Sequence, residues 1–219
     1  MEDGIIQLSI KDCNNQHYQT ASGSFVVYKN QILVATAAHC VFDFSTKQSA
    51  TEILVKYNSA GKTKECKVLN IYVNEQWMKQ GLLSDDIAFC TINAIDINNV
   101  KYYVPKFDFY PQHNSKVKAS GIIPSIFKDR IAIYRTNMLE EKYWISDHLL
   151  GIKTRMRAGT SGGPMLAFIG NQEKQIGVIS SHFNDEPKYT WLAIWQLNAK
   201  KLLEQAVHAQ EGGLNLNGY

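Results

Sequence analysis

Residues 158–166 read A-G-T-S-G-G-P-M-L. Ser161 stands among glycines, with Pro164 and an apolar pair just beyond. A turn of this kind has plain structural uses, so its meaning depends on what else the chain carries. Two other short segments matter. T-A-A-H-C (36–40) closes an apolar, strand-like run, and D-D-I-A-F-C (85–90) opens another with an acid. A lone His after a strand is most often structural, and an Asp before one is most often a solvated turn. Together, in the chain order His, Asp, Ser, the three segments form a set that nucleophilic catalysis requires. A serine hydroxyl is a weak nucleophile at neutral pH and needs a neighbouring base. That base, His39, then needs a partner to fix its tautomer.

The surrounding chain is consistent with a β fold. Strand-like runs recur at 5–10, 24–28, 31–36, 52–57, 66–73 and 86–92, then at 116–123, 130–136, 163–169, 175–180 and 190–197. They are rich in β-branched and aromatic residues and are separated by turn residues, which argues for an all-β sandwich or barrel. Residues 93–115 read as a polar connector between two halves. Within it, K-Y-Y-V-P-K-F-D-F-Y (101–110) could stack on bases, but it is better read as packing the connector against the barrels. Near the end the pattern changes. Asn198 can cap a helix at about 198–210, Leu202, Leu203, Ala206 and Val207 fall on one face, and Gly212 and Gly213 would stop it.

Composition excludes several classes. The chain has 219 residues, 45% hydrophobic and 20% charged, an ordinary globular composition with ample core. A formal charge of +3 is too small to make nucleic acid the main partner. No apolar run is long enough to span a membrane. The opening M-E-D-G-I-I-Q-L-S-I has no secretory pattern. The expectation is a cytoplasmic protein as encoded, or an exported one if a leader has been removed. The cysteines at 13, 40, 66 and 90 have no zinc-site spacing and are expected to be mostly unpaired thiols.

Taken in order, Q-L-S-I, S-G-S-F-V-V, T-A-A-H-C, D-I-A-F, A-S-G-I, G-T-S-G-G-P and G-V-I-S-S resemble the landmarks of the trypsin-like (chymotrypsin-fold) serine proteases. The resemblance runs from Ile5 to about Gln205. It implies two packed six-stranded antiparallel β-barrels and a C-terminal α-helix. Residues 1–105 would carry His39 and Asp86, and 106–219 would carry Ser161, with the site in the cleft between. It also implies roles. His39 would be the general base, Asp86 its orienting acid (Asp85 the runner-up), Ser161 the nucleophile, and the Gly159 and Ser161 amides the oxyanion hole. The implied activity is endopeptidase cleavage of protein or peptide substrates by a self-contained monomer, with neither metal nor organic cofactor.

Departures from the digestive members narrow the branch. Thr160 replaces the Asp that pairs with a freed N-terminus, so a site formed without that activation step is expected. Glutamyl endopeptidases, HtrA-type and viral chymotrypsin-like enzymes are similar in this respect. The usual partner of Cys40 falls near Ala21, so that disulfide is absent. The specificity pocket maps to Arg155 at its base, followed by Met156, and to a wall at Ile179, Ser180, Ser181 and His182, with Ser180 bracing Asp86. Arg155 and His182 would favour an acidic side chain. Alternatively Arg155 faces solvent and Met156 and Ile179 make an apolar pocket. A catalytically silent binding protein and an esterase-like hydrolase are also compatible with these motifs.

Overall fold

The structure, a computed structural model, describes residues 4–12, 18–112, 115–125, 130–136, 144–146, 148–181 and 188–214. The first half contains β1 (Ile5–Lys11), β2 (Tyr18–Tyr28), β3 (Gln31–Thr36), the single-turn helix α1 (Ala38–Val41), β4 (Phe42–Asp43) and β5 (Gln48–Ser49). It continues with β6 (Glu52–Ser59), β7 (Lys62–Val73), α2 (Glu75–Gln80) and β8 (Ala88–Ile92). The second half has β9 (Val104–Pro105), β10 (Val117–Ile123), β11 (Arg130–Thr136), β12 (Trp144–Ser146), β13 (Leu149–Ile152), β14 (Pro164–Ile169), β15 (Gln172–Ile179), β16 (Thr190–Ile194) and α3 (Leu197–Leu214).

Six strands close into a barrel in the order β1-β2-β3-β8-β7-β6. Strand β6 shows the simplest pattern. Every second side chain, Ile53, Val55 and Tyr57, is buried in the barrel interior, as a two-residue period demands. Strands β3 and β8 are buried on both faces. Ile32, Val34, Ala88 and Cys90 enter the barrel, while Leu33, Ala35, Ile87 and Phe89 join a second cluster outside it. That outer cluster is completed by Trp195 and by Ala199, Leu202, Leu203, Ala206 and Val207 of α3. The terminal helix thus covers the first barrel, and each large side chain it buries contributes about 1.5–3 kcal/mol at most.

The second half is an eight-stranded sheet in the order β11-β10-β14-β15-β16-β13-β12, with β9 alongside β15. A bulge between Met165 and Leu166 curves it. Among the described residues its edge strands β11 and β12 do not pair, and the sheet forms a half-barrel beside the closed first barrel, the chymotrypsin-like arrangement expected. Strands β12 and β13 carry no alternation distinct enough to be read from sequence.

Other differences have local causes. The last strand ends at Ile194, although Trp195 N still donates to Ile176 O at 2.7 Å, and the Trp195 ring joins the outer cluster. The helix begins at Leu197 and runs through Gly212 and Gly213 to Leu214. Glycine weakens a helix without forbidding it. The connector packs as its aromatic residues suggested. Tyr103 is buried and exchanges backbone hydrogen bonds with β2, Lys106 N donates to Gln175 O, and Phe107 stacks on Trp195 with centroids 6.0 Å apart. No described helix is long and apolar enough to cross a membrane.

Candidate active site

Strand β3 ends at Thr36, and the chain turns at once into α1, which presents His39 with its imidazole about a third exposed. Asp86 lies just before β8 and is fully buried. The two strands pair directly, Thr36 against Ala88, so the barrel sets the distance between acid and base. Asp86 grips His39 twice. Its Oδ1 accepts the His39 backbone N–H at 2.8 Å, and its Oδ2 lies 2.7 Å from Nδ1. A carboxylate can only accept, so Nδ1 carries a proton and, in the neutral ring, Nε2 is the acceptor. Ser180 Oγ donates to the same Oδ2 at 2.6 Å.

Asp85 is otherwise engaged. Its carboxylate accepts from Ser84 Oγ and from Asn198 Nδ2 at the start of α3. This separates two adjacent acids by partner, one holding the histidine and the other the terminal helix. Asn198 Oδ1 accepts from Ala199 N at 2.7 Å.

Burial works against charge on His39, but the Asp86 carboxylate, with a smaller contribution from Cys40, outweighs it and holds the imidazole pKa well above 6.5. Nε2 lies 3.6 Å from Cys40 Sγ. Trp77 flanks the ring, with centroids 6.4 Å apart, and Phe44 packs on Trp77. The Trp77 wall has no sequence signal, since it depends on how α1 and α2 face each other, whereas Cys40 is His39's neighbour within α1. Helix α2 itself was detectable from its Asn74 cap and the left-handed Gly81 at its end.

Ser161 sits on the turn between β13 and β14. The turn needs its glycines. Gly159 has φ +93°, and a Cβ there would lie 2.4 Å from Pro124 Cδ. Gly162 has φ +79°, and its Cβ would meet Thr36 Oγ1 at 2.1 Å. Thr160 is buried and turns inward, its Oγ1 donating to Arg157 O at 2.7 Å. Ser161 Oγ rests 3.4 Å from Ser180 O, so the hydroxyl would have to turn to meet Nε2. Among the described residues, the amides of Gly159 and Ser161 have no acceptor, which leaves both available to an oxyanion.

The remaining pocket residues divide. Arg155, Met156, Arg157 and Ala158 line an open cavity of about 700 Å³. Arg155 is exposed. Met156 and Ile179 are buried with the core of the second sheet. Thr190, not anticipated from sequence, holds the pocket's base. Its Oγ1 accepts from Met156 N and donates to Thr154 O. Ser180 and Ser181 bond through their backbones to Trp191 on β16. His182 lies outside the described residues, as does Cys13. Cys40, Cys66 and Cys90 are free thiols. Cys66 and Cys90 are on neighbouring strands, but Cys66 faces Val55 and Cys90 faces Ile71. Burial pushes their pKa values up to about 11 and about 12.

Solved structures share this architecture at low identity. A thermostable serine protease, AL20, from an extremophilic microorganism superposes with a TM-score of 0.73 at 19% identity, covering 91% of this chain and 94% of that one. Protease Anisep from Arthrobacter nicotinovorans gives 0.76 at 19%, covering 93% and 94%. A Glu endopeptidase gives 0.74 at 16%, covering 93% and 90%. At these identities the likeness speaks for the fold. No curated protein matches the sequence. The family model described as Trypsin matches residues 5–194, most of the length, and the chain belongs to the trypsin family.

Proposed function

We propose that the chain is a serine endopeptidase acting through His39, Asp86 and Ser161, with a preference for an acidic residue before the cut. The observation that carries the catalytic part is the His39 imidazole held at Nδ1 by a buried carboxylate, which leaves Nε2 as the base. Ser161 Oγ leaves Ser180 O, gives its proton to Nε2 and bonds to the substrate carbonyl carbon. The carbonyl oxygen becomes an oxyanion facing the Gly159 and Ser161 amides. Nε2 then returns the proton to the departing amine as the C–N bond breaks. Water repeats the sequence on the acyl-enzyme, with His39 again the base. Asp86 keeps the imidazole in the productive tautomer and stabilises its charged form.

The acidic preference rests on Arg155 and Arg157, two cations on the wall of one cavity with no acid among its described lining residues. A Lys or Arg side chain there would be repelled. The cavity is open to water, so one ion pair contributes about 1 kcal/mol, roughly a fivefold preference. A Glu endopeptidase shares the fold, which is compatible with this preference without establishing it.

The test is a peptide-library digest by the wild type and by Ser161→Ala, read by mass spectrometry, followed by matched peptides bearing Glu, Leu or Lys before the cut. Cuts should vanish in Ser161→Ala, a loss of about 10⁵-fold or more, with melting temperature unchanged. Glu should exceed Leu by about fivefold, less at high salt, and Lys should be worst. A Leu preference would reject the acidic pocket, and cuts surviving in Ser161→Ala would reject the nucleophile.

A further inference from the structure

We infer that Ser22, on β2 of the first barrel, is the residue that holds the oxyanion-hole turn in its working shape. The inference rests on the protease reading above and assigns a positioning role to a side chain outside the triad. Ser22 is fully buried, and every polar atom it has is engaged. Its N–H donates to Ser161 O at 2.8 Å, and its carbonyl accepts from Thr36 Oγ1 at 2.9 Å. Its hydroxyl donates to Gly159 O at 2.7 Å and accepts from Ile122 N at 2.7 Å. One residue of the first half therefore grips both Gly159 and Ser161, whose amides form the hole, and ties them to β10.

The chemistry of the grip explains its effect. A hydroxyl has one proton to donate and lone pairs to accept, so it can bridge a carbonyl and an amide at once. Holding Gly159 O fixes the 159–160 peptide and holding Ser161 O fixes the 161–162 peptide, and between them lies the 160–161 peptide, which carries the Ser161 amide and whose carbonyl is held by Gly163 N at 3.0 Å. Three successive carbonyls, of Gly159, Thr160 and Ser161, thus face protein donors, and among the described residues the amides of Gly159 and Ser161 have no acceptor. Thr160 stands where digestive relatives anchor this turn through an acid and a freed N-terminus. Here the anchor is internal, made by the Ser22 hydroxyl across the seam and by Thr160 Oγ1 on Arg157 O. Without the Ser22 hydroxyl, Gly159 O and Ile122 N lose their shared partner, and the 159–160 peptide keeps only the bond from Thr160 N to Arg157 O, 3.2 Å long.

A built-in control lies two residues away. Ser24 is on the same strand and equally buried, and its hydroxyl also crosses the seam, donating to Gln175 Oε1 at 2.8 Å. It touches no part of the hole. The experiment compares Ser22→Ala, Ser22→Cys and Ser24→Ala with the wild type. It measures melting temperature, kcat and KM on a peptide ester, rate of labelling by a fluorophosphonate, and affinity for a peptide aldehyde, whose hemiacetal oxygen occupies the hole.

Losing one hole donor costs roughly 10²–10³ in rate, so displacing the turn in Ser22→Ala should lower kcat by about 10- to 100-fold. KM should stay within about twofold, and aldehyde affinity should fall in parallel with kcat. Ser22→Cys, a weaker donor, should fall between, and Ser24→Ala should keep kcat within about twofold despite a lowered melting temperature. If Ser22→Ala does not fold, Ser22→Cys against Ser24→Ala carries the same comparison. Equal kcat in the Ser22 and Ser24 variants at matched melting temperatures would overturn the inference and leave the protease reading intact. A folded wild type that neither cleaves the ester nor takes the label would overturn the protease reading, and the positioning role with it.

Discussion

In the first half, six strands close on themselves, and His39 and Asp86 flank two of them, β3 and β8, that pair directly at Thr36 and Ala88. In the second half the described strands form a half-barrel sheet, and Ser161 sits on a glycine turn between β13 and β14. That turn gains its shape from bonds to the other half. Ser161 O and Gly159 O are both held by Ser22, and the space of a Gly162 side chain is filled by Thr36 and Ser22. The His39–Asp86 pair is thus set by a continuous ladder of backbone hydrogen bonds, while Ser161 is set by contacts across a seam. Damage to the first should change chemistry at a stable site. Damage to the second should change stability and chemistry together.

The largest expected effect falls on the pair. Asp86→Asn keeps the shape but favours the wrong histidine tautomer, and kcat should drop by about 10⁴-fold while KM changes little. A loss under tenfold, in steady-state kinetics on a peptide ester, would deny Asp86 its role. At the seam, Gly162→Ala would set a Cβ 2.1 Å from Thr36 Oγ1 and 2.3 Å from Ser22 O at φ +79°. It should cost about 3 kcal/mol or more in urea unfolding. Gly61, in the β6–β7 turn, has nearly the same φ, +77°, and nothing within 4 Å of its Cβ position. Gly61→Ala should cost only about 1–2 kcal/mol of backbone strain. Equal costs would show that conformation, not the seam, governs both.

The titration of His39 sharpens the comparison. Its pKa is raised by Asp86 and Cys40 against the effect of burial, so it lies well above 6.5. The base must be neutral to accept a proton, so kcat/KM should rise with pH through that raised value and then level. Stability should run the other way. The protonated His39–Asp86 pair contributes fully below 6.5, and the contribution is lost as pH rises through the folded-state value. Urea midpoints and kcat/KM measured over the same pH series should therefore cross. In Asp86→Asn the titration should move acidward.

The smallest effect concerns the thiols. Iodoacetamide on the native protein should label Cys40 first, Cys66 slowly and Cys90 only on unfolding, because burial raises Cys66 to about 11 and Cys90 to about 12. Peptide mapping of the labelled protein would reveal any other order.

How much was legible follows the range of the interactions. The order of His39, Asp86 and Ser161 was readable because each sits in a short motif beside its own strand. Strand β6 and the apolar face of α3 were readable because burial repeats every second residue or along one helical face. The extra strands β12 and β13 and the run of α3 through two glycines were not. They depend on neighbours distant in sequence that override weak local preferences. The site divides in the same way. Ser180 was placed against Asp86 by family resemblance, and the structure puts its hydroxyl 2.6 Å away. The choice of Asp86 over Asp85 becomes physical only when Asn198, 113 positions further on, takes up Asp85.

The sequence alone determined that this is a β protein of the trypsin-like kind with its reactive residue types in order, because periodicity and short motifs are local properties. Tertiary structure decided which atoms meet. It joined Asp86 to both the backbone amide and Nδ1 of His39, sank Met156 and Ile179 into the core while leaving Arg155 and Arg157 exposed, and laid Ser22 against the turn of Ser161. Those outcomes depend on hydrogen bonds and packing between segments far apart in the chain, and only the folded backbone brings those segments together.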